Sequence, residues 1–265
     1  RGASSHQHNP FIALLRKDAT EEQGEVYAFN FVYSGNFIAQ AEVGQYQTAR
    51  ISMGINPFDF SWLLEPGEDF YTPEVVMVYS NRGLGEMSRT YHKLYRKRLC
   101  RGVYRDRERS ILINNWEATR FDFNHQKIMD IARLAKDCGI ELFVLDDGWF
   151  GRRNSDDSSL GDWYVNKEKL PRGLEGLAKD LEGLGLKFGL WFEPEMISPD
   201  SDLYRDHPDW CLHVPERDRT QCRNQLILDL SREDVCAAIL KKVKDILSKV
   251  PVSYVKWDMN RNMTE

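Results

Sequence analysis

Asp146-Asp147 and Lys256-Trp257-Asp258 each close a short apolar run, the first after Leu142-Phe143-Val144-Leu145 and the second after Tyr254-Val255. Adjacent carboxylates repel when both are buried and ionised, so Asp146 and Asp147 need donors. Ligand hydroxyls, Lys256 or backbone N–H groups could supply them; a purely structural arrangement would need a metal or an arginine. Lys256 and Asp258 are two residues apart in an extended segment and so point to one face. There the ammonium favours the ionised aspartate, the state a nucleophile requires. An exposed surface ion pair fits poorly at the end of an apolar run.

Other apolar runs end in a similar way. Trp116 and Glu117 close one, Glu193 and Glu195 another, Asp229 a third, and Trp149, Trp191 and Trp257 are interleaved with them. Carboxylates that accept from hydroxyls, next to flat apolar faces, suit a sugar. Glycoside hydrolysis with retention needs a nucleophile and a second carboxyl group about 5–5.5 Å away. Asp258 is the candidate nucleophile; Asp146, Asp147, Glu193, Glu195 and Asp229 all remain open as its partner. Asp229 could equally cap the next helix. A magnesium site built from Asp146, Glu193 or Asp229 and Asp258 is the alternative chemistry, although Lys256 and the tryptophans suit a sugar better than a hydrated cation.

The elements that must position these groups fall into two regions. From Glu25 to about Ser80, short alternating runs separated by Ser34-Gly35-Asn36, Gly44 and Pro66-Gly67 predict antiparallel strands. From Gly83 to Leu99, Leu84, Met87, Tyr91, Leu94 and Tyr95 share a helical face. After Arg109, strands alternate with helices, as in parallel βα units. Five strands are expected, around residues 111–116, 142–147, 188–193, 226–229 and 254–258. Helical faces are expected at Ile128, Ile131, Leu134, Ala135 and Cys138, with Gly139 as stop; at Leu174 to Leu184, closed by Gly185; and at Val235 to Ile246, after a capping-box-like Ser231-Arg232-Glu233-Asp234. No Gly-rich phosphate loop follows a strand, so residues 110 to 265 read as the first five units of a (β/α)8 TIM barrel, whose functional groups gather at the strands' carboxyl ends.

Composition excludes several partners. With 42% hydrophobic residues in 265, the chain can build a core, and a net charge of -5 leaves no basic patch for nucleic acid. No membrane-spanning run or signal-peptide pattern is present. Five cysteines without paired spacing indicate neither a disulfide framework nor a zinc site, and a reducing, cytoplasmic location is expected.

Leu145-Asp146-Asp147-Gly148-Trp149-Phe150, Gly189-Leu190-Trp191-Phe192-Glu193-Pro194-Glu195 and Lys256-Trp257-Asp258-Met259-Asn260-Arg261 closely resemble signature segments of family 36 α-galactosidases. The resemblance implies that residues 1–105 are the end of a β-supersandwich domain with a linking helix, and that 106–265 begin the catalytic barrel. It implies Asp258 as nucleophile, forming a covalent galactosyl-enzyme. Asp146, Asp147, Lys256, Asn260 and Arg223 would bind the sugar, and Trp116 and Trp191 would line its pocket. An α-galactoside of raffinose or melibiose type is the implied small-molecule partner, without cofactor or metal, and a homo-tetramer is compatible with the family. The family's acid/base follows the next barrel strand, beyond Glu265, so 265 residues alone would be inactive. An α-N-acetylgalactosaminidase, a raffinose-type galactosyltransferase and a non-catalytic sugar-binding fragment are the alternatives.

Overall fold

The computed structural model describes residues 4–5, 7–58, 60–261 and 263. It divides into two compact units, Arg1–Glu108 and Arg109–Glu265.

In the first unit, β1 (Phe11–Leu15), β2 (Val26–Phe31) and β5 (Val75–Ser80) form an antiparallel sheet with β2 in the middle. β3 (Phe37–Val43) and β4 (Ala49–Ile55) pair separately as a hairpin. α1 (Gly83–Leu94) lays Met87 and Tyr91 on Val26, Ala28 and Val78. The Tyr91 hydroxyl lies 2.9 and 2.8 Å from the Ala28 and Val76 carbonyl oxygens, which gives this buried polar group its partner.

The second unit is built on a parallel sheet of β6 (Leu112–Asn114), β7 (Leu142–Leu145), β8 (Lys187–Phe192) and β11 (Val252–Trp257), in the order β11-β8-β7-β6. The central strands β7 and β8 are buried on both faces, which explains their unbroken apolar sequences; β6 and β11 at the edges are partly exposed. α2 (Trp116–Thr119) is one turn at the end of β6. α3 (His125–Asp137) starts where the Asn124 side chain accepts from the Lys127 N–H at 3.0 Å, and stops at Gly139, whose φ of +83° suits glycine. Its buried stripe is Ile128, Met129, Ala132 and Ala135; Leu134 and Cys138, expected there, face outward. α4 (Gly173–Gly183) buries Leu174, Leu177 and Leu181 completely, at about 1.5–3 kcal/mol each.

Two expectations fail here. The segment at 226–229 does not join the parallel sheet: β10 (Leu226–Ile227) pairs antiparallel with β9 (Met196–Ile197), and β11 pairs directly with β8. Among the described residues four parallel strands are therefore present where five were expected. Leu226 and Leu228 are buried against Ile197, Cys211, Val235 and Ile239 and Leu203 of α5 (Asp202–Asp206), in a small separate cluster, while Ile227 between them packs into the main core. A short apolar run carries no information about which neighbour buries it. The capping box is also absent. Arg232 occupies the N-cap of α6 (Glu233–Leu247), and the Ser231 hydroxyl donates to Asp229 Oδ1 at 2.6 Å.

Candidate active site

The carboxyl ends of β7, β8 and β11 place the expected groups together. Asp258 directly follows β11, and its N–H donates to the Phe192 carbonyl at 2.8 Å, extending the β11–β8 ladder by one bond. The Asp258 carboxylate is thereby fixed at the strand end. Its Oδ2 accepts from Trp191 Nε1 at 3.0 Å and Asn260 Nδ2 at 2.9 Å, and its Oδ1 from the Met259 N–H at 3.1 Å. Burial alone would raise the carboxyl's pKa, but the Trp191 and Asn260 donors and the Lys256 charge prevail and hold it below the usual range.

Asp146 and Asp147 solve their mutual repulsion with separate cations. Lys256 Nζ donates to Asp146 Oδ2 at 2.8 Å, and that oxygen also accepts from Asn114 Nδ2. Asp146 Oδ1 takes the Asp147 N–H at 2.9 Å. Asp147 is gripped by Arg153, whose Nε lies 3.0 Å from Oδ1 and Nη2 2.9 Å from Oδ2. Both partners are buried, at 7% and 1% exposure, and burial pushes the Asp147 carboxyl up against the pull of Arg153. Lys169 Nζ, in turn, donates to the Gly148 and Arg153 carbonyls at 2.9 Å each, so the loop after β7 is tied down by two cations. Arg153 and Lys169 were not singled out from sequence. The need for an arginine beside paired carboxylates was the available signal for the first.

Asn260 accepts from Arg223 Nη1 at 3.1 Å. Arg223 and Asn224 have φ of 54° and 57° and form the tip of a tight turn closed by the Cys222–Gln225 bridge. Glycine and asparagine fill such positions most readily; an arginine held there is backbone strain of the kind retained at functional sites. Trp116, at the start of α2, stands edge-on to Phe121 with centroids 5.1 Å apart, and its backbone N–H donates to Asn114 Oδ1.

The tryptophans occupy different settings. Trp149 and Trp191 are core residues at 0% and 1% exposure, and Trp191 lies parallel to Phe150 with centroids 6.0 Å apart. Trp191 presents its indole N–H to Asp258 while its faces are packed. Trp257, 58% exposed, donates instead to Glu195 Oε1 at 2.8 Å. Asp229 serves as a turn cap, accepting from the Ser231 N–H and hydroxyl. Among the described residues no group of three or more His, Cys, Asp or Glu is arranged to hold a metal ion, and no helix is long and apolar enough to cross a membrane.

Fold and site together define a portion of a parallel βα barrel with carboxylates held by hydrogen bonds at its strands' carboxyl ends. The chain belongs to glycoside hydrolase family 36: the Melibiase family model matches residues 69–265, and the Glycosyl hydrolase family 36 N-terminal domain model matches residues 1–65. It is 69% identical to the α-galactosidase AgaA of Geobacillus stearothermophilus over 265 residues, all of this chain and 36% of that protein. Against the α-galactosidase Mel36A of Lactobacillus acidophilus the identity is 50%, again over all of this chain and 36% of the relative. The crystal structure of AgaA superposes with a TM-score of 0.96, covering 100% of this chain and 37% of the other. AgaA variants in complex with stachyose and with raffinose match equally well, at TM-scores of 0.96. The chain thus spans little more than a third of the length of these relatives.

Proposed function

We propose that this chain carries the galactose-binding and nucleophilic part of a retaining α-galactosidase acting on raffinose-type galactosides. The observation that carries the reading is the Asp258 carboxylate, held ionised by Trp191, Asn260 and Lys256 beside the Lys256–Asp146 pair. Relatives that are α-galactosidases, and AgaA structures in complex with stachyose and raffinose, support the substrate class.

In this reading Asp146, Asp147 and Lys256 receive galactose hydroxyls remote from the reacting carbon. Their contacts with each other and with Arg153 orient them before the sugar arrives. Asp258 attacks the anomeric carbon, the bond to the leaving oxygen breaks, and a covalent galactosyl ester forms that water then hydrolyses. Oδ1 meets a single backbone N–H, whereas Oδ2 is engaged by Trp191 and Asn260, so Oδ1 is the freer oxygen for attack.

The leaving oxygen's proton donor is assigned to none of the carboxylates weighed from sequence. Asp146, Asp147, Glu193, Glu195 and Asp229 each have at least one oxygen engaged by a protein donor. The test is turnover of p-nitrophenyl α-galactoside against its 2-acetamido counterpart by the full-length protein. Preference for the galactoside supports the reading; preference for the acetamido sugar, or turnover of neither, overturns it.

A further inference from the structure

Glu193 follows β8 immediately, is 1% exposed, and touches no cation. Its Oε1 accepts the Asn260 N–H at 2.6 Å, and its Oε2 accepts from Gln225 Nε2 at 3.1 Å. Burying a carboxylate is costly, and two neutral donors offset that cost only in part. A buried acid held this way is expected where its contacts serve something beyond stability.

Those contacts lead to the nucleophile. Asn260, whose backbone Glu193 holds, is the residue whose side chain donates to Asp258 Oδ2. Gln225, whose side chain Glu193 also holds, ends the turn that carries Arg223, and Arg223 donates to Asn260 Oδ1. Arg261 Nη1 binds the Gln225 and Thr220 carbonyls at 2.7 and 2.9 Å, joining the same two segments from the other side. Glu193 is thus the point where the segment after β11 and the turn before β10 meet the end of β8.

We infer that Glu193 is a positioning residue for the nucleophile: it fixes the Asn260 backbone and the Arg223 turn, and through Asn260 sets the orientation of Asp258. This rests on the proposed role of Asp258. Glu193 is not the proton donor to the leaving group, because both of its oxygens already accept from protein donors inside the core. Its charged surroundings are Asp258 and Lys256 on and after β11, Asp147 after β7, and Arg223 and Arg261 on the joined segments. Burial raises its pKa most, the Asn260 hydrogen bonds pull it down, and the charges of Asp258 and Asp147 push it up again.

The variants Glu193→Ala and Glu193→Gln in the full-length protein test this. Loss of the anchor lets Asn260 and Asp258 shift; a misplacement near 1 Å can cost on the order of 100-fold, and that fall in kcat with little change in KM is expected for Glu193→Ala. Glu193→Gln keeps an oxygen for the Asn260 N–H, and Gln225 Oε1, buried without a hydrogen-bond partner, can turn to accept from the new amide. It is expected to recover most of kcat. Equal loss in both variants, or no loss in either, overturns the inference.

A crystal structure of Glu193→Ala decides the placement independently of turnover. Asn260 and the Asp258 carboxylate should be displaced, and retention of the Trp191–Asp258 and Asn260–Asp258 hydrogen bonds would overturn the inference. If Asp258→Ala turns over substrate at the parental rate, the functional reading fails, while the crystal structure still judges the positioning.

Discussion

Lys256 on β11 reaches across β8 to Asp146 at the end of β7, closing a 2.8 Å contact between two strands that are not neighbours in the sheet. This contact brings residues 110 positions apart to one place and defines the floor of the candidate site.

Replacing Lys256 with Met leaves Asp146 without its cation. Hydrogen bonds to charged groups are worth about 1.5–3 kcal/mol, so kcat/KM is expected to fall roughly 10- to 100-fold. The Lys256 side chain is 34% exposed, which screens the pair, so the melting temperature should change little. Steady-state kinetics and a thermal melt on the same preparation check both expectations.

Arg153→Met acts differently, because both members of the Arg153–Asp147 pair are buried. Breaking a buried pair by removing one partner costs about 3–5 kcal/mol. The Asp147 carboxyl, already raised by burial, should rise further and lose its capacity to accept from a sugar. Denaturant unfolding with galactose titration should reveal a stability loss and weakened binding together. A normal affinity in a destabilised variant would remove Asp147 from the binding site.

The ends of β7, β8 and β11 were legible because apolar runs end abruptly in charge, although only β7 and β8 are buried on both faces. Asp146, Asp147, Lys256 and Asp258 accordingly lie where their spacing placed them. Arg153 was not legible as a partner, since its pairing depends on how the loop after Asp147 turns back on itself. Trp191 illustrates a different limit: composition identifies an aromatic beside a carboxylate, but only packing reveals that its faces are covered and that its indole N–H meets Asp258. The run at 226–228 misled because a buried strand in the antiparallel β9–β10 pair and a buried strand in the parallel sheet leave the same sequence trace.

Trp191→Phe and Asn260→Ala each remove a donor that lowers the Asp258 pKa. The carboxyl should then titrate higher, and the acid limb of kcat/KM should move to higher pH. The same depressed pKa contributes stability that is present above the unfolded carboxyl's value and lost as pH falls through the folded one. pH–rate profiles of the two variants check the direction; a limb that stays in place would contradict the assignment of those donors.

Lys169→Met removes the ammonium that satisfies the Gly148 and Arg153 carbonyls. An unsatisfied buried acceptor costs about 1–3 kcal/mol, and thermal or denaturant unfolding should register a loss of that order. Burial pushes the Lys169 pKa down to about 8 from 10.5. The unfolded chain therefore binds more protons between those values, and the wild type's stability relative to Lys169→Met should rise with pH across that window.

The central claim is that Asp258 forms a bond to galactose. Incubating the full-length protein with a 5-fluoro-α-galactosyl fluoride, digesting it and sequencing the labelled peptide by mass spectrometry tests this directly. The account predicts a galactosyl ester on Asp258. A label on Asp146, Asp147 or Glu193, or turnover of the reagent with inverted product and no labelled peptide, would contradict it.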